Sequence, residues 1–379
     1  MDFRLTPEQR MLRDMVREFA QKEIKPKASE IDREEKFPWE IIRKMGKLGL
    51  MGMTVPQQYG GSGIDKISYN IVLEEIGRVC GSTGLTVEAH NSLGVGHIYE
   101  MGNEEQRNKY LPRLTGGEAL AAWALTEPNA GSDAASLQTT AVPDGDEWVL
   151  NGTKQFITSG SLAEVVTVMA KTDKSKGARG ISAFIVEKGT EGLKVGVEED
   201  KMGLRGSVTS ELILEDLRVP RENMLGEPGM GFIGAMKILD RGRTAVGSLA
   251  VGLAQGVLDE CIDYSRQRQQ FGRPISKFQA IQWMIADIAT DVEAARLLVR
   301  QSADLEERDE PFGKEASMAK LFASEMAMRA AVKGVQIHGG YGYTKEYAVE
   351  RFFREVKLYS IGEGTSEVQR MVIAKKLDL

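Results

Sequence analysis

Apolar residues in the first third of the chain recur at the spacing of an amphipathic helix. Six of them would share one helix face: Met11, Leu12, Met15, Val16, Phe19 and Ala20. The preceding stretch 6–9 (TPEQ) supplies an N-cap, a proline at the first helical position and a capping-box glutamine. A second cap at 103–106 opens a short helix that we expect to end near Leu111-Pro112. A turn-rich break at 55–65 interrupts these helices.

The middle third changes to short β-prone runs. Residues 147–158 (EWVLNGTKQFIT) hold two such runs joined by Asn151-Gly152, a dipeptide that predicts a β-hairpin. Three more strands are expected in the runs VVTVMAKT, ISAFIVE and SELILEDLRV. Short strands separated by regular turns are typical of a small barrel or sandwich.

Helical spacing returns from about Gly231. One wide apolar stripe is typical of a bundle helix, and a second stripe begins another: Ile281, Met284, Ile285, Ile288, Val292 and Ala295, then Met318, Leu321, Phe322 and Met326. The motif GMGFIG (229–234) matches a dinucleotide-binding fingerprint, but a proline-punctuated loop precedes it instead of the required strand. We interpret this motif as a lead into a helix. The order of elements predicts an α+β chain with more than one domain.

Composition excludes several classes of function. The 49 basic and 55 acidic residues give a net charge of −6, and no dense Lys/Arg block suggests binding to nucleic acid. No apolar run approaches membrane-spanning length, and the N-terminus lacks the plan of a signal peptide. Two cysteines, Cys80 and Cys261, form no disulfide framework. We therefore expect a cytoplasmic protein, or one of an organelle matrix whose transit peptide has been removed.

Few residues are suited to metal binding or to nucleophilic catalysis. The chain has three histidines, of which we expect His90 and His97 to be packed or on the surface, and it has no HExxH, CxxC or EF-hand pattern. No metal is predicted. Neither a GxSxG elbow nor a Walker A loop is found, so difficult chemistry would need an organic cofactor.

Two polar segments combine turn residues with groups that bind anions. In WALTEPNAGSDAAS (123–136), hydroxyls and backbone N–H groups are able to hold a polar ring edge or a phosphate, although such clusters also mark ordinary turns. In YSRQRQQFGRPISKFQ (264–279), arginines interleave with phenylalanines. Arginine binds phosphate through a planar fork, whereas the local alternative is a solvated helix end.

The third candidate segment is glycine-rich and lies near the C-terminus. In VQIHGGYGY (335–343), glycines allow a close approach of the backbone to another surface. In IGEGTSEVQR (361–370), Ser366 and Gln369 predict a capping box and a helix start. Glu363 stands just before that helix. It is either a charge favoured by the helix dipole or a reactive acid with room for a ligand around it.

Together these segments resemble the signatures of the acyl-CoA dehydrogenase family of flavoproteins. WALTEPNAGSD, RQQFGRPISKFQ, QIHGGYGY and IGEGTSEVQR occur in the order found in the family, and the resemblance covers essentially the whole chain. It implies a helical N-terminal domain (1–118), a middle β-barrel or sandwich domain (119–230) and a C-terminal four-helix bundle (231–379). It also implies a homotetramer with FAD bound between the β-domain and the bundle.

The resemblance assigns expected roles by position in these motifs. Residues expected to line the flavin are Trp123, Leu125, Thr126, Ser132, Phe156 and Thr158. Residues expected at the FAD of an adjacent subunit are Arg268, Gln270, Phe271, Gln336, Gly339 and Gly340, and Phe278 and Gln279 are also expected to bind the cofactor. Thr365 and Glu367 are expected to contact FAD near the catalytic loop. Contacts to the acyl-CoA are expected from Ser132, Asp240, Arg243 and Gly364.

Glu363 matches the catalytic base of most family members. The implied reaction removes the α-proton of an acyl-CoA, passes the β-hydrogen as hydride to flavin N5 and yields a trans-2-enoyl-CoA, as in fatty acid β-oxidation. The backbone N–H of Glu363 would hold the thioester carbonyl. Electrons would pass to an electron-transferring flavoprotein. The alternatives are an acyl-CoA oxidase, an enoyl-CoA reductase running the reaction backwards, and a non-catalytic flavin- or acyl-CoA-binding scaffold.

Three positions bear on how this chain departs from its relatives. Phe156 stands where many relatives have tryptophan beside the flavin, and we expect it only to tune the cofactor. Gly362 stands where many straight-chain enzymes have tyrosine, which would widen the pocket. Some relatives carry the base at the position of Gly242, where glycine cannot serve. We expect a short or short-branched acyl substrate.

Overall fold

The first part of the chain is helical in the computed structural model, which describes residues 4–379. Its α-helices are α1 (Pro7–Phe19), α2 (Ala28–Glu34), α3 (Trp39–Lys47), α4 (Lys66–Gly77), α5 (Gly81–Glu88), α6 (Gly96–Met101) and α7 (Glu104–Thr115). Two π-helical segments, Ala20–Ile24 and Ala89–Val95, continue α1 and α5. Both predicted capping boxes are confirmed, at the starts of α1 and α7.

The predicted end of α7 at Leu111-Pro112 is wrong. The helix runs through Pro112 to Thr115. Leu111 and Leu114 are fully buried in a hydrophobic cluster, and this burial outweighs the hydrogen bond that the proline removes.

The middle part of the chain forms a mixed eight-stranded sheet. Its strands are β1 (Ala121–Ala124), β2 (Thr140–Asp144), β3 (Glu147–Thr158), β4 (Val165–Lys171), β5 (Ile181–Glu187), β6 (Leu193–Glu198), β7 (Thr209–Pro220) and β8 (Met224–Leu225). The order in the sheet is β6-β7-β3-β2-β4-β5-β8, and β1 pairs in parallel with β4. The three strands predicted after residue 158 are confirmed as β4, β5 and β7.

The predicted hairpin at Asn151-Gly152 is wrong, because β3 continues through this dipeptide. The pairing of β3 with β7 shifts register there, which marks a β-bulge. Asn151 exchanges two hydrogen bonds with Asp216 on β7: its amide donates to Asp216 Oδ1 (3.1 Å) and its Oδ1 accepts from Asp216 N (2.9 Å). The chain reverses earlier, between Asp144 on β2 and Glu147 on β3.

Long helices return after the sheet. They are α8 (Gly231–Gln267), then, after the short strands β9 (Gln269–Gln270) and β10 (Arg273–Pro274), α9 (Gln279–Glu307), α10 (Gly313–His338), α11 (Ala348–Val356) and α12 (Ser366–Lys376). Helices α8, α9 and α10 pack against one another, and α12 packs on α10. The predicted stripe on α9 buries Ile288, Val292 and Ala295. The GMGFIG motif leads into α8 as interpreted.

Helix α8 is long and apolar enough to cross a membrane by length and composition alone. The prediction that no apolar run approaches membrane-spanning length is therefore wrong. Of its most apolar window, 78% is buried inside the protein. A core helix of a bundle meets the same criteria, and the packing of α8 against α4, α9 and α10 accounts for its composition.

His90 connects the helical region to the sheet. Its Nε2 faces the carbonyl oxygens of Met51 (3.0 Å) and Leu114 (3.2 Å), and its Nδ1 accepts from the N–H of Ala121 at the start of β1 (3.0 Å). These contacts lie between the last helix of the first region and the first strand. The predicted domain boundaries at residues 118 and 230 both fall in connections between elements and stay predictions.

Burial makes His90 a source of acid sensitivity. Desolvation lowers the pKa of His90 from 6.5 to about 4, so the folded protein binds fewer protons than the unfolded chain between these values. Stability is therefore lost as the pH falls from about 6.5 to about 4, by roughly 2–4 kcal/mol for this residue. We expect the thermal midpoint of His90→Gln, measured at fixed protein and flavin concentration, to fall less steeply across this window. Parallel curves for variant and wild type would contradict the assignment.

Candidate active site

Glu363 lies in a strained turn between α11 and α12. Its φ is 53°, in the left-handed region, and Gly364 follows with φ 95°. Glycine tolerates such a φ, whereas glutamate adopts it only when the surroundings enforce it. Strain of this kind is concentrated at functional sites.

The helix after this turn begins one residue earlier than the sequence predicted. Thr365 is the N-cap of α12, and its hydroxyl accepts from Val368 N at 3.3 Å, so the predicted box of Ser366 with Gln369 is wrong. Gln369 Nε2 instead donates back to the carbonyls of Glu363 (3.3 Å) and Gly364 (2.9 Å). Because these contacts with the preceding turn use the glutamine side chain, the box does not form.

Lys320 on α10 holds the turn in place through hydrogen bonds to its backbone. It is fully buried, and its Nζ donates to the carbonyl oxygens of Gly362 (2.8 Å) and Gly364. Burial lowers the pKa of Lys320 to about 8, against the opposing charge of Glu363. Lys320 was not predicted as a site residue, because no local pattern in the sequence links it to a turn 42 residues away.

The carboxylate of Glu363 points at the backbone of α8. A Cβ atom on Gly242 would lie 1.9 Å from Glu363 Oε2, so only glycine leaves room for this carboxylate. Oε2 is buried without a hydrogen-bond donor, although the residue as a whole is partly exposed. Burial raises the pKa of Glu363, and hydrogen bonding from Glu88 and the charges of Lys320 and Arg243 oppose this rise. The result is a dry carboxylate of increased basicity.

Two predicted acyl-CoA residues lie on α8 beside Gly242. Arg243 is buried and forms an ion pair with Asp240, while its Nε has no hydrogen-bond partner among the described residues. Burial raises the pKa of Asp240. The structure thus brings Asp240, Arg243, Gly364 and Glu363 together at one end of α8, next to α10.

The predicted flavin-lining segment after β1 is fastened to β3. Lys154 on β3 is fully buried and donates to the carbonyl of Leu125 (3.1 Å) and to Glu127 Oε1 (2.8 Å). Gln155 N donates to Thr126 O at 2.9 Å. Buried ion pairs need good geometry to be tolerated, and Glu127 also accepts from Thr139 N at 3.0 Å. The predicted residues on β1, its loop and β3 therefore lie side by side.

Two aromatic side chains mark this face. Trp123 Nε1 donates to Nδ1 of the buried His97 at 2.7 Å, and burial lowers the pKa of His97 to about 4, so the imidazole accepts as a neutral ring. Phe156 has φ 59° within a bulge of β3, and 62% of it is exposed. An exposed aromatic ring held in a strained conformation suits a planar ligand. His97, expected to be packed or on the surface, hydrogen-bonds a predicted site residue.

A second predicted group lines a cavity of about 720 Å³ at the far end of the bundle. Six predicted residues contribute to it: Arg268, Gln270, Phe271, Phe278, Gly339 and Gly340. Phe271 has φ 51° and is 93% exposed. Cβ atoms on Gly339 and Gly340 would meet nothing within 4 Å, so this face is open. Gln279, Gln336 and Glu367 are exposed and do not line the cavity.

The part of the chain that the structure describes contains no cluster of side chains suited to bind a metal ion. No group of three or more His, Cys, Asp or Glu side chains there is placed to hold a metal ion.

Comparison with known proteins covers almost the whole chain. Family models for acyl-CoA dehydrogenase match in three parts: the N-terminal domain at residues 6–118, the middle domain at 122–217 and the C-terminal domain at 229–377. A short-chain specific acyl-CoA dehydrogenase of Clostridium acetobutylicum is 50% identical over 377 residues, covering 100% of both chains. The caffeyl-CoA reductase-Etf complex subunit CarC of Acetobacterium woodii is 50% identical over 369 residues, covering 97% of each chain.

Solved structures agree with this assignment. Butyryl-CoA dehydrogenase of Megasphaera elsdenii matches with a TM-score of 0.98 and 44% identity, covering 100% of both chains. An acyl-CoA dehydrogenase of Bacillus anthracis complexed with FAD matches with a TM-score of 0.93 and 39% identity, covering 98% of this chain and 67% of that one. The predicted α+β fold and the resemblance are confirmed, and the chain belongs to the acyl-CoA dehydrogenase family.

Proposed function

We propose that this protein is an FAD-dependent acyl-CoA dehydrogenase in which Glu363 removes the α-proton of a short-chain acyl-CoA. The observation that carries the proposal is the Glu363 carboxylate, whose Oε2 is buried and which is held over Gly242. A carbon-bound proton α to a thioester is weakly acidic, so its removal needs a base of raised pKa in a site that excludes water. Burial gives Glu363 that property.

The backbone of the same turn supplies the partner for the thioester. Among residues 4–379, no hydrogen bond engages the N–H of Glu363, while the carbonyls on either side are bound by Lys320. A free N–H in a rigid turn is suited to hold the carbonyl oxygen as negative charge develops on it. Gly364 keeps the approach unobstructed, and Arg243 adds a positive charge close to the base.

The residues of the cofactor region fit FAD. The exposed Phe156 and the indole of Trp123 offer aromatic faces beside the loop that ends at Ser132, and Gly339 and Gly340 leave open space where a Cβ would stand. Trp123, Thr126, Ser132, Phe156 and Thr158 would hold the flavin. FAD, when bound, supplies the acceptor for the β-hydrogen, which leaves as hydride.

The cavity at the far end of the bundle fits the cofactor of a neighbouring subunit. Arg268 and Phe271 stand on the exposed turn after α8, and Arg268 lies 5.4 Å from the ring centre of Tyr341. Side chains this exposed in one chain would be buried against a second copy of the chain when the two associate. We therefore propose a homotetramer in which Arg268, Gln270, Phe271 and Gly340 contact the FAD of an adjacent subunit.

The relatives support the choice of partner and location. The subunit of Acetobacterium woodii works in a complex with an electron-transferring flavoprotein, and we propose the same kind of electron acceptor here. We propose a cytoplasmic enzyme, or one of an organelle matrix.

The reductive direction is the second candidate, because that same relative is a caffeyl-CoA reductase. In reverse, protonated Glu363 would donate its proton to the α-carbon of an enoyl-CoA. Anaerobic assays of the holoenzyme with butyryl-CoA and with crotonyl-CoA, each with electron-transferring flavoprotein and then with oxygen as acceptor, separate dehydrogenase, reductase and oxidase.

Replacement of the base tests the central assignment. Glu363→Gln keeps the shape of the side chain but removes its basicity, so we expect flavin bleaching by butyryl-CoA under anaerobic conditions to slow by about 10²–10⁴-fold. Glu105→Gln, on the exposed face of α7, is the matched control and should bleach at the wild-type rate. Undiminished bleaching by Glu363→Gln would overturn the assignment, and no bleaching of the wild type by any acyl-CoA would favour a non-catalytic scaffold.

The gap on α8 offers an independent test. Gly242→Ala adds a methyl group where Glu363 Oε2 lies, and the carboxylate must move. We expect kcat to fall by about 10²-fold with flavin content unchanged, since a 1 Å misplacement has effects of this size. Gly247→Ala adds the same methyl to the same helix, where the nearest atom is Val299 Cγ2 at 3.2 Å, and should leave kcat close to wild type. Equal activities of the two variants would refute the proposed position of the base.

Gly362 tests the choice of acyl chain. A Cβ there would meet only ordinary contacts, with Leu358 O at 3.7 Å, and its φ is not positive, so a side chain is tolerated. Many straight-chain enzymes have tyrosine at this position, and its ring would fill the space that Gly362 leaves for a branched acyl chain. Gly362→Tyr should therefore lower kcat/KM for isobutyryl-CoA about 10-fold or more relative to butyryl-CoA. A constant ratio between the two substrates would show that Gly362 does not set the selectivity.

A further inference from the structure

Glu88, at the end of α5, is an unusual buried carboxyl group. Five carboxyl side chains are buried among residues 4–379, and four of them form ion pairs: Asp32 with Arg354, Glu75 with Arg17, Glu127 with Lys154, and Glu355 with Arg351. Glu88 is fully buried, and no cation pairs with it in this part of the chain. An ionised carboxylate without a cation is very costly in such a place.

The neighbour of Glu88 is the proposed base. The carboxyl groups of Glu88 and Glu363 share one buried space: hydrogen bonding between them acts on the pKa of both, and Oε2 of each is buried with no donor from any other described residue. Two carboxylates cannot hydrogen-bond each other, whereas an acid and a carboxylate can. Ser92 Oγ, from the π-helical segment that follows α5, hydrogen-bonds Glu88 Oε1. The same hydroxyl also lies 3.0 Å from the backbone carbonyl oxygen of Glu88, and it leaves Oε2 of Glu88 to face the base.

The charges around the pair decide which residue holds the proton. Lys320 from α10 and Arg243 from α8 stabilise the anionic form of Glu363. The other groups that face Glu88 are neutral: Ser92, the buried hydroxyl of Tyr69 from α4, and the buried hydroxyl of Tyr359, which follows α11. Glu306 lies further off and is itself paired with Lys66 and Arg241. Burial, followed by the charge of Glu363, raises the pKa of Glu88 well above its usual range.

We infer that Glu88 is a positioning residue for the base: as a neutral acid it donates a hydrogen bond from its Oε2 to Glu363 Oε2. This inference rests on the proposed role of Glu363. The bond fixes the direction of the carboxylate and keeps it ionised in a dry site where burial alone would protonate it. When the α-carbon–hydrogen bond breaks, the proton passes to Glu363, Glu88 retains its own proton, and the pair becomes neutral until one proton returns to solvent.

The test compares Glu88→Gln and Glu88→Ala as holoenzymes over a range of pH. Glutamine keeps a neutral donor, so the acid limb of kcat/KM for butyryl-CoA should stay within a few tenths of a pH unit of wild type. Alanine removes the donor, so the apparent pKa of the acid limb should rise by about one pH unit. At the acid end of the profile this rise lowers kcat/KM about tenfold. A wild-type limb in Glu88→Ala, or equal shifts in both variants, would overturn the inference.

Two further readouts exclude a general structural effect. Flavin content and thermal midpoint should match wild type in Glu88→Gln, which is nearly isosteric. The infrared C=O band of a protonated buried carboxyl should be present in wild type at neutral pH and absent in Glu88→Gln, and its persistence would contradict the proton's location. If Glu363→Gln still bleaches, the proposed function fails. If it is inactive while Glu88→Ala keeps the wild-type limb, only the role of Glu88 fails.

Discussion

The ammonium of Lys320 binds the two carbonyl groups that bracket Glu363, and the geometry of this turn, which holds the proposed base, follows from that contact. A buried lysine is costly, and it is tolerated here because two acceptors and a nearby carboxylate surround it. With both carbonyls occupied, the peptide is turned so that the Glu363 N–H stays free. The left-handed backbone of Glu363 is then sustained by contacts from α10 and α12, not by its own preference.

Sequence alone predicted the layout because the relevant signals are local. The capping boxes at Thr6 and Asn103, the strands β4, β5 and β7, and the stripe on α9 each depend on neighbours in the chain, and the structure confirms them. Two of the errors have one cause. At Asn151 and Gln369, side chains expected to form a turn or a cap bind other groups: Asp216 on a neighbouring strand, and the carbonyls of Glu363 and Gly364 in the preceding turn.

Only those residues of the candidate site that belong to sequence motifs could be predicted. Glu363, Trp123 and Arg268 belong to recognisable segments, whereas Lys320, His97 and Glu88 act through tertiary contacts and carry no motif. A buried His or Glu in an apolar stretch gives no hint of its partner. These supporting residues become visible once α4, α5, α8 and α10 are seen to converge on one carboxylate.

Gly242 has a consequence for how such enzymes change over time. The missing side chain on α8 and the carboxylate of Glu363 fill the same small volume, so the turn and the helix are alternative carriers of one acid. A lineage that moves the acid from one to the other has no easy intermediate. Two glutamates would compete for a space that holds one, and two small residues would leave that space without a carboxylate. Exchange between the two arrangements therefore requires both positions to change together.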